Sequence, residues 1–571
     1  MFNAEQQSAI SAACKPLRII AGPGTGKTRT LVGRIENFVT QDQILPSRIL
    51  ALTFTNKAAH ELTERLQANG QHGVQALTFH ALAAKLLRRY WQADVQILTE
   101  SEQSELLQKI LNTAEQKQRV EIVADWEILA ERDFCADSVR SFRSALSEER
   151  LRELLANYKT ALQEQNALDF NQLQVRLLQL WREQPEVLRN CQELFSAVLV
   201  DEYQDVSSLQ IELVRQLVQP HENLTVVGDS DQTIYAWRGA RATSMEEFTQ
   251  LFPEATTVSL TQNYRNPAAV LRGTQTLIAH NSERQNVELS ATKNSETRIK
   301  LWETRSTAEE IEVVLSLLEK QVGSIAHMHH ADELDTDGEE KRSLSEIAIL
   351  YRTQAQGKVL EAALTKQGYP VQRSSGEQFW QRKEVGAFLE TLAQLRERGE
   401  LPAEQKLSQF LAAQVANVDV PAIQKKRLQQ LISVAVAFDD LSFVEALAQF
   451  LDEAALQQEA DNVLAADAIN LLTLHAAKGL EFPVVCLVGL TKGVLPSKQY
   501  AQHEQGIAEE RRLLYVGMTR AQEELHLVTN GEQSRFLAEI AEDCLMRAEL
   551  DEQKVRRVRR REAKEAQMKL F

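Results

Sequence analysis

Residues 21–28 read AGPGTGKT, set between the apolar run of Leu17, Ile19 and Ile20 and a stretch of helical character. A glycine-rich loop joining a strand to a helix is the mark of a phosphate-binding P-loop, usually written GxxxxGK[ST]. Here Ala21 stands six places before Lys27, and Gly22 follows one place late. Ala21, Gly22, Pro23, Gly24, Thr25 and Gly26 would form such a loop, with backbone N–H groups at the helix start surrounding phosphate oxygens; Lys27 can reach terminal phosphates and Thr28 can ligate magnesium. Taken alone, the string also describes a tight turn followed by a surface lysine. The rest of the chain separates the two readings.

Working outward, short apolar, β-branched runs alternate with helical patterns in two regions, which implies parallel sheets covered by helices. PLRII, RILALTF, FSAVLV and LTVVGD make the first set; IAILYR, FPVVCLVGL and ELHLV belong to the second. From 86 to 190 the pattern is almost wholly helical, with heptad-like leucines in LLRRYW, ELLQKILN and LQVRLLQLW. Another helical stretch, 387–467, holds FLETLAQLRERGEL and FVEALAQFLDEAAL. The expected plan is two α/β domains, each interrupted by a helical insertion.

Composition bounds the function. The 571 residues are 43% hydrophobic and 25% charged, as in ordinary globular protein, and the net charge of -16 argues against coating nucleic acid by bulk positive charge. A local basic groove remains compatible with that total. Cys14, Cys135, Cys191, Cys486 and Cys544 lack CxxC spacing, which fits a reducing compartment and offers no zinc framework. MFNAEQQSAI has no basic region followed by an apolar run, and no membrane span is expected, so the reading is cytosolic. His327, His329 and His330 lie in a polar, acidic run without ordered ligand spacing, and read as loop rather than metal site.

Two further motifs follow strands, where open parallel sheets bind ligands. VLVDEYQD, 198–205, delivers adjacent carboxylates: Asp201 suits a magnesium shell and Glu202 suits orienting and deprotonating an attacking water. In VVGDSDQTIYAWRGA, 226–240, Gln232 can sense a γ-phosphate. Tyr235 and Trp237 beside Arg238 suit stacking on unpaired bases, with core packing as the competing role.

These stretches occur in order with others: FNAEQQSAI, AGPGTGKT, ALTFTNKAAHEL, ALTFHALAAKLLR, VLVDEYQD, VVGDSDQTIYAWRGA, LTQNYRNP, AILYRTQAQ, LLTLHAAKGLEFPVV and EERRLLYVGMTRA. The series resembles the motifs of the superfamily 1 UvrD/Rep DNA helicases, from residue 2 to about 527. In that family an alanine is common where Ala21 stands. The resemblance implies two RecA-like P-loop domains: 1A at 1–85 and 191–266, 2A at 267–386 and 468–545, with helical insertions 1B at 86–190 and a reduced 2B at 387–467, then a basic tail at 546–571. It implies ATP and Mg2+ as cofactors, the metal on Thr28 and Asp201. Gln6 would read adenine with Arg29 nearby, Tyr264 would stack on the base, and Glu481 would hold the ribose. Lys27, Asp201, Glu202 and Gln232 keep the roles above, joined by Arg265 and Arg520 as arginine fingers. Phe54, Thr55, Asn56, Thr78, Phe79, His80, Tyr235, Trp237, Arg238, Thr473 and His475 match the family's contacts to single-stranded DNA.

The implied activity is a 3′ to 5′ DNA translocase and helicase acting on single strands and their junctions with duplex, in repair, replication restart or recombination. The bacterial cytosol and nucleoid are the expected location, and no stable oligomer is required for ATP turnover. Shortening of the second insertion keeps a second reading open, in which the chain is a motor or recruitment subunit of a larger assembly, clamp- or nuclease-associated or acting in phage defence. Lys554, Arg556, Arg557, Arg559, Arg560 and Arg561 form a basic cluster that suits phosphate contact or a solvated helix end. The following QMKLF resembles the short peptide by which bacterial proteins dock on the sliding clamp, with Gln567, Leu570 and Phe571 as anchors.

Overall fold

Hydrophobic runs short enough to be strands, and apolar on both faces, can be buried only inside a sheet covered twice. The computed structural model meets that requirement in two places. It describes residues 2–92, 95–111, 116–135, 140–236, 239–282, 284–285, 287–293, 297–322, 342–373, 382–398, 402, 405–418, 420–439, 441–456, 467–556 and 559–560. Among these, the strands in chain order are β1 Leu17–Ala21, β2 Ile49–Thr53, β3 Gln75–Thr78, β4 Gln96–Ile97, β5 Ala167–Leu168, β6 Ala197–Val200, β7 Leu224–Gly228, β8 Thr256–Leu260, β9 Gln262–Pro267 and β10 Ser290–Lys293. They continue with β11 Ile299–Thr304, β12 Ile347–Tyr351, β13 Val371–Arg373, β14 Ile469–Thr473, β15 Phe482–Leu487, β16 Ala521–Asn530 and β17 Leu545–Ala548.

The first sheet has the order β3-β2-β6-β7-β1-β8 and the second β13-β14-β12-β15-β16-β11-β17. Neighbours in both are parallel, for example Ile49 opposite Ala197 and Ile349 opposite Cys486. Alternation along each strand feeds two cores. Leu50, Leu52, Val198 and Val200 face one side of the first sheet, while Ile49, Ala51, Ala197 and Leu199 face the other. Ala348 and Leu350 divide from Ile347, Ile349 and Tyr351 in the same way in the second.

The helical insertions hold cores of their own. Trp126, Leu129, Leu151 and Tyr158 pack together in the first, and Phe388, Leu411, Leu431, Leu447 and Phe450 in the second. Three details depart from the sequence expectation. Residues 86–190 include the short parallel pair β4 and β5, with Gln96 opposite Ala167. The helix Phe79–Tyr90 runs through the boundary expected at 86, and the helix Lys383–Arg398 starts ahead of 387. β17 carries the second sheet to Ala548, into the segment read as tail, because Leu545–Ala548 pairs with Ile299–Trp302. Lys554 donates to Ser316 and, at 2.8 Å, to Glu319, while Arg559 donates to Glu309 at 3.0 Å, so these two cations lie on the acidic helix Thr307–Val322. Among the described residues no helix is long and apolar enough to cross a membrane.

Candidate functional site

Ala21 is the last residue of β1, opposite Leu260, and its methyl lies in the core. An extended backbone has no need of glycine, whereas the positions that follow do. Gly24 and Gly26 have φ of 67° and 83°, in the left-handed region where a Cβ is strained. A Cβ on Gly24 would meet Arg265 Cβ at 2.5 Å, and one on Gly26 would meet Gln6 Nε2 at 2.8 Å. The loop therefore keeps glycine where the chain turns, and Gly26 caps the helix Lys27–Thr40, whose N-terminal turn carries Lys27 and Thr28.

Gln6 braces this loop. Its side-chain oxygen accepts from Asn3 N at 3.1 Å in a capping box, and its Nε2 donates to Thr25 O at 3.0 Å. Asn3 also donates to the Tyr264 hydroxyl at 3.0 Å, and Tyr264 N donates to Gly24 O at 2.8 Å. Tyr264 is 40% exposed at this edge, and the Arg29 guanidinium lies 4.9 Å from the Phe2 ring centre. The residues implied for base recognition thus share one rim.

β6 ends at Val200 and delivers the carboxylates. Asp201 N donates to Leu52 O at 2.8 Å, and Glu202 is held at φ 50° and ψ 43°, a strained conformation for a side chain of that size. Lys27 Nζ donates to Glu202 Oε1 at 2.7 Å. Burial opposes charge on Lys27, but Glu202 and Asp201 outweigh it and its pKa lies above the ordinary value. Burial, then the Glu202 charge, push Asp201 up to about 6. Glu202 is disfavoured by burial too, yet Lys27 and Lys478 hold it down at about 2. One carboxylate is kept ionised beside an ammonium while its neighbour retains affinity for a cation or proton.

The second sheet supplies the opposite wall. Arg520 follows the helix Glu504–Met518, is buried, and donates from Nη2 to Gln232 Oε1 at 3.3 Å and from Nε to Val516 O at 2.8 Å. Burial and the nearby Arg265 pull it down to about 9, so it stays charged at neutral pH. Arg265 donates from Nε to Glu481 Oε2 at 2.7 Å and from Nη1 to Thr519 O at 3.4 Å. Gln522 holds the other Glu481 oxygen at 2.9 Å. Gln232 Nε2 donates to Asp229 Oδ2 at 2.8 Å. Lys27, Glu202, Gln232, Arg265 and Arg520 thus border one cleft between the two sheets.

The residues matched to DNA contacts are only partly open. Phe54 stacks on Tyr235 with ring centres 4.8 Å apart, and Tyr235, 7% exposed, lies near His475 at 6.3 Å. His80 stacks on Phe170 at 3.4 Å, and its Nε2 is 2.9 Å from Gln174 Nε2. Thr55, Thr78 and Thr473 accept backbone N–H groups of Ala58, Ala81 and Ala476 at 3.1, 3.2 and 3.1 Å, leaving each hydroxyl proton to donate elsewhere. Asn56 opens the helix Asn56–Ala68 and is buried. Phe79 is 3% exposed and packs inside the first core at the start of the helix Phe79–Tyr90. Trp237, Arg238, the three histidines at 327–330, and Gln567, Leu570 and Phe571 lie outside the described residues.

Several residues at the cleft escaped the sequence reading. Lys478 donates to Asp205, and to Gln232 O at 2.7 Å. Arg284 grips Asp231, with Nη2 to Oδ2 at 2.7 Å. Buried Asn263 donates to Pro23 O at 2.6 Å, and buried Asn266 to Thr519 O and Ala521 O at 3.1 and 2.6 Å. LTQNYRNP and KGLEF contain three of these residues, Asn263, Asn266 and Lys478, but partners 200 or more positions away leave no periodic trace. Among the described residues no cluster of His, Cys, Asp or Glu is arranged to hold a metal by itself.

Comparison with known proteins gives a consistent outcome. A family model described as the UvrD/REP helicase N-terminal domain matches residues 2–253, and one described as the UvrD-like helicase C-terminal domain matches 258–426 and 398–532. The chain is similar to ATP-dependent DNA helicase PcrA of Leuconostoc citreum, 31% identical with 95% of this chain and 85% of that protein covered. PcrA of Bacillus subtilis (strain 168) is also 31% identical, with 95% and 86% covered. DNA helicase II of Escherichia coli (strain K12) is 29% identical, with 95% and 88% covered.

Proposed function

The chain belongs to the UvrD/REP family of ATP-dependent DNA helicases, and from that premise we propose how its residues turn ATP hydrolysis into 3′ to 5′ movement on DNA. The observation that carries the proposal is the contact of Arg520 with Gln232, 3.3 Å apart and 288 positions apart in sequence. A guanidinium from one sheet reaches the turn beside the P-loop of the other, so turnover depends on how the two domains meet.

Lys27 is paired with Glu202 at 2.7 Å. ATP phosphates seated on the loop compete for that ammonium and release Glu202, whose low pKa keeps it ionised to orient water and accept its proton. Arg265 and Arg520 neutralise charge on the transferred phosphoryl, and Gln232 contacts its end. Gln6, Arg29 and Tyr264 face the base, and Glu481 the ribose. The oxygen donors Thr28 and Asp201 suit a hard divalent cation, and the raised pKa of Asp201 is that of a buried carboxylate whose charge the chain itself leaves partly uncompensated. Mg2+ bound there supplies Lewis-acid stabilisation of the phosphates.

Phe54, Tyr235 and His475, whose rings lie together, and His80 are the proposed contacts to the single strand, with Trp237 and Arg238 as further contacts. The 1A, 1B, 2A and 2B segments take the boundaries given above, adjusted at the tail by β17. Docking of QMKLF on a sliding clamp is a separate proposal, tested by clamp pull-down with and without residues 567–571. The recruitment-subunit reading is not favoured, since the similar helicases align over 95% of the chain.

ATP turnover measured with and without single-stranded DNA tests the reading. Strong stimulation is expected, and Lys27→Ala or Glu202→Gln should abolish turnover while DNA binding persists. Turnover indifferent to DNA would sink it.

A further inference from the structure

After Gly228 the chain leaves the first sheet, and its side chains enter the other domain. Ile234, Tyr235 and Ala240 are buried in the same core as Leu350, Leu472, Leu487 and Leu514 of the second domain. Polar contacts follow the same direction. Lys478 donates to Gln232 O at 2.7 Å, and Arg520 to Gln232 Oε1 at 3.3 Å. The strongest is Arg284, whose Nη2 and Nε lie 2.7 and 3.2 Å from Asp231 Oδ2, with Nε 3.3 Å from Oδ1. Arg284 belongs to the second domain by chain order. Nearby Asn281 donates to Ala508 O at 3.1 Å and accepts from Arg511, both on the helix Glu504–Met518.

The first domain meets this segment through Asp229 N donating to Gln204 Oε1 at 3.0 Å, Phe54 stacked on Tyr235 at 4.8 Å and a bridge between Ser207 and Ala240, while Gln232 bonds Asp229 within the turn itself; none of these holds the Asp231 carboxylate. A guanidinium fork on a carboxylate fixes direction as well as distance. Because Asp231 and Gln232 are adjacent in one tight turn, Ser230–Gln232, holding the first orients the second.

We propose that Arg284 is a positioning residue for ATP hydrolysis: its fork on Asp231 makes the Gln232 turn move with the second α/β domain, so that domain closure sets Gln232 against the terminal phosphate. This rests on the reading of Gln232 as the γ-phosphate contact. No atom of Arg284 touches nucleotide in this scheme, and its effect passes through Asp231.

The test is steady-state ATP turnover of the full chain with and without saturating oligo(dT), kcat being normalised to nucleotide-binding-competent protein so that loss of folded material does not count. Arg284→Gln and Asp231→Asn should each lower DNA-stimulated kcat about tenfold or more, with KM for ATP within about twofold, and the double variant should fall no further than either single one. Arg284→Lys should recover only part of the loss, since a point charge lacks the fork. Wild-type kcat in Arg284→Gln, or losses that multiply in the double variant, would overturn the proposal. Gln232→Ala separates the two layers: if it leaves kcat intact, the reading of Gln232 fails; if it abolishes turnover while Arg284→Gln does not, only the positioning role fails.

Discussion

Ala21 and Glu202 show how backbone conformation selects residue type at this site. Ala21 ends a strand, so a methyl is accommodated where the usual P-loop pattern has glycine, while Gly24 and Gly26 carry the positive φ. Glu202 adopts a positive φ despite its side chain, and is held by its bond to Lys27. A second buried carboxylate makes a prediction about pH. Glu310 accepts from Gly489 N at 2.6 Å, and burial pushes its pKa up to about 7 from the ordinary 4.5. The folded state binds this proton more tightly than the unfolded chain, so the stabilisation is complete below about pH 4.5 and lost as pH rises through about 7. Glu310→Gln keeps an oxygen for Gly489 and removes the buried charge. Thermal or denaturant unfolding should find it more stable than wild type by about 3 kcal/mol at about pH 8, with the difference falling below about 1 kcal/mol near pH 5. An equal difference at both pH values would contradict this.

Among elements, β9 does the most joining. Its Asn263 and Asn266 are buried and link the P-loop carbonyl of Pro23 to the carbonyls flanking Arg520. Asn266→Ala removes its donors from the Ala521 carbonyl and from the Thr519 carbonyl, which keeps only the 3.4 Å bond from Arg265, a cost of about 2 kcal/mol. A lower melting temperature together with a raised KM for ATP is expected; a change in melting temperature alone would make the link structural only. The central strands were legible because both faces are buried, giving the continuous runs of RILALTF, FSAVLV and IAILYR. Edge strands such as Thr256–Leu260, Val371–Arg373 and Leu545–Ala548 are half exposed, and their mixed sequences carry no such signal. Motif residues were legible through spacing, and their pairing was not: Lys478 with Asp205 and Arg265 with Glu481 are separated by 273 and 216 positions. Phe79 is a motif position whose burial in the core the sequence did not reveal.

At the scale of the molecule, the proposed ATP site lies where the two domains meet, and the segment that carries Gln232 and Tyr235 belongs to one domain by chain order and packs into the core of the other. The proposed nucleotide and DNA contacts of this segment would then move together, and a net charge of -16 leaves DNA binding to local contacts rather than bulk attraction. The second insertion has a core of its own, and its helix Phe443–Leu456 packs near the helix Phe79–Tyr90 of the first domain. Translocation needs the two sheets; separating strands also needs something to meet the duplex. Strand displacement on 3′-tailed, 5′-tailed and blunt substrates, with ATP, tests the account most directly. The account predicts displacement from the 3′-tailed substrate, none from the blunt one, and loss of all displacement in Lys27→Ala. Displacement from the 5′-tailed substrate alone, or displacement that survives Lys27→Ala, would contradict it.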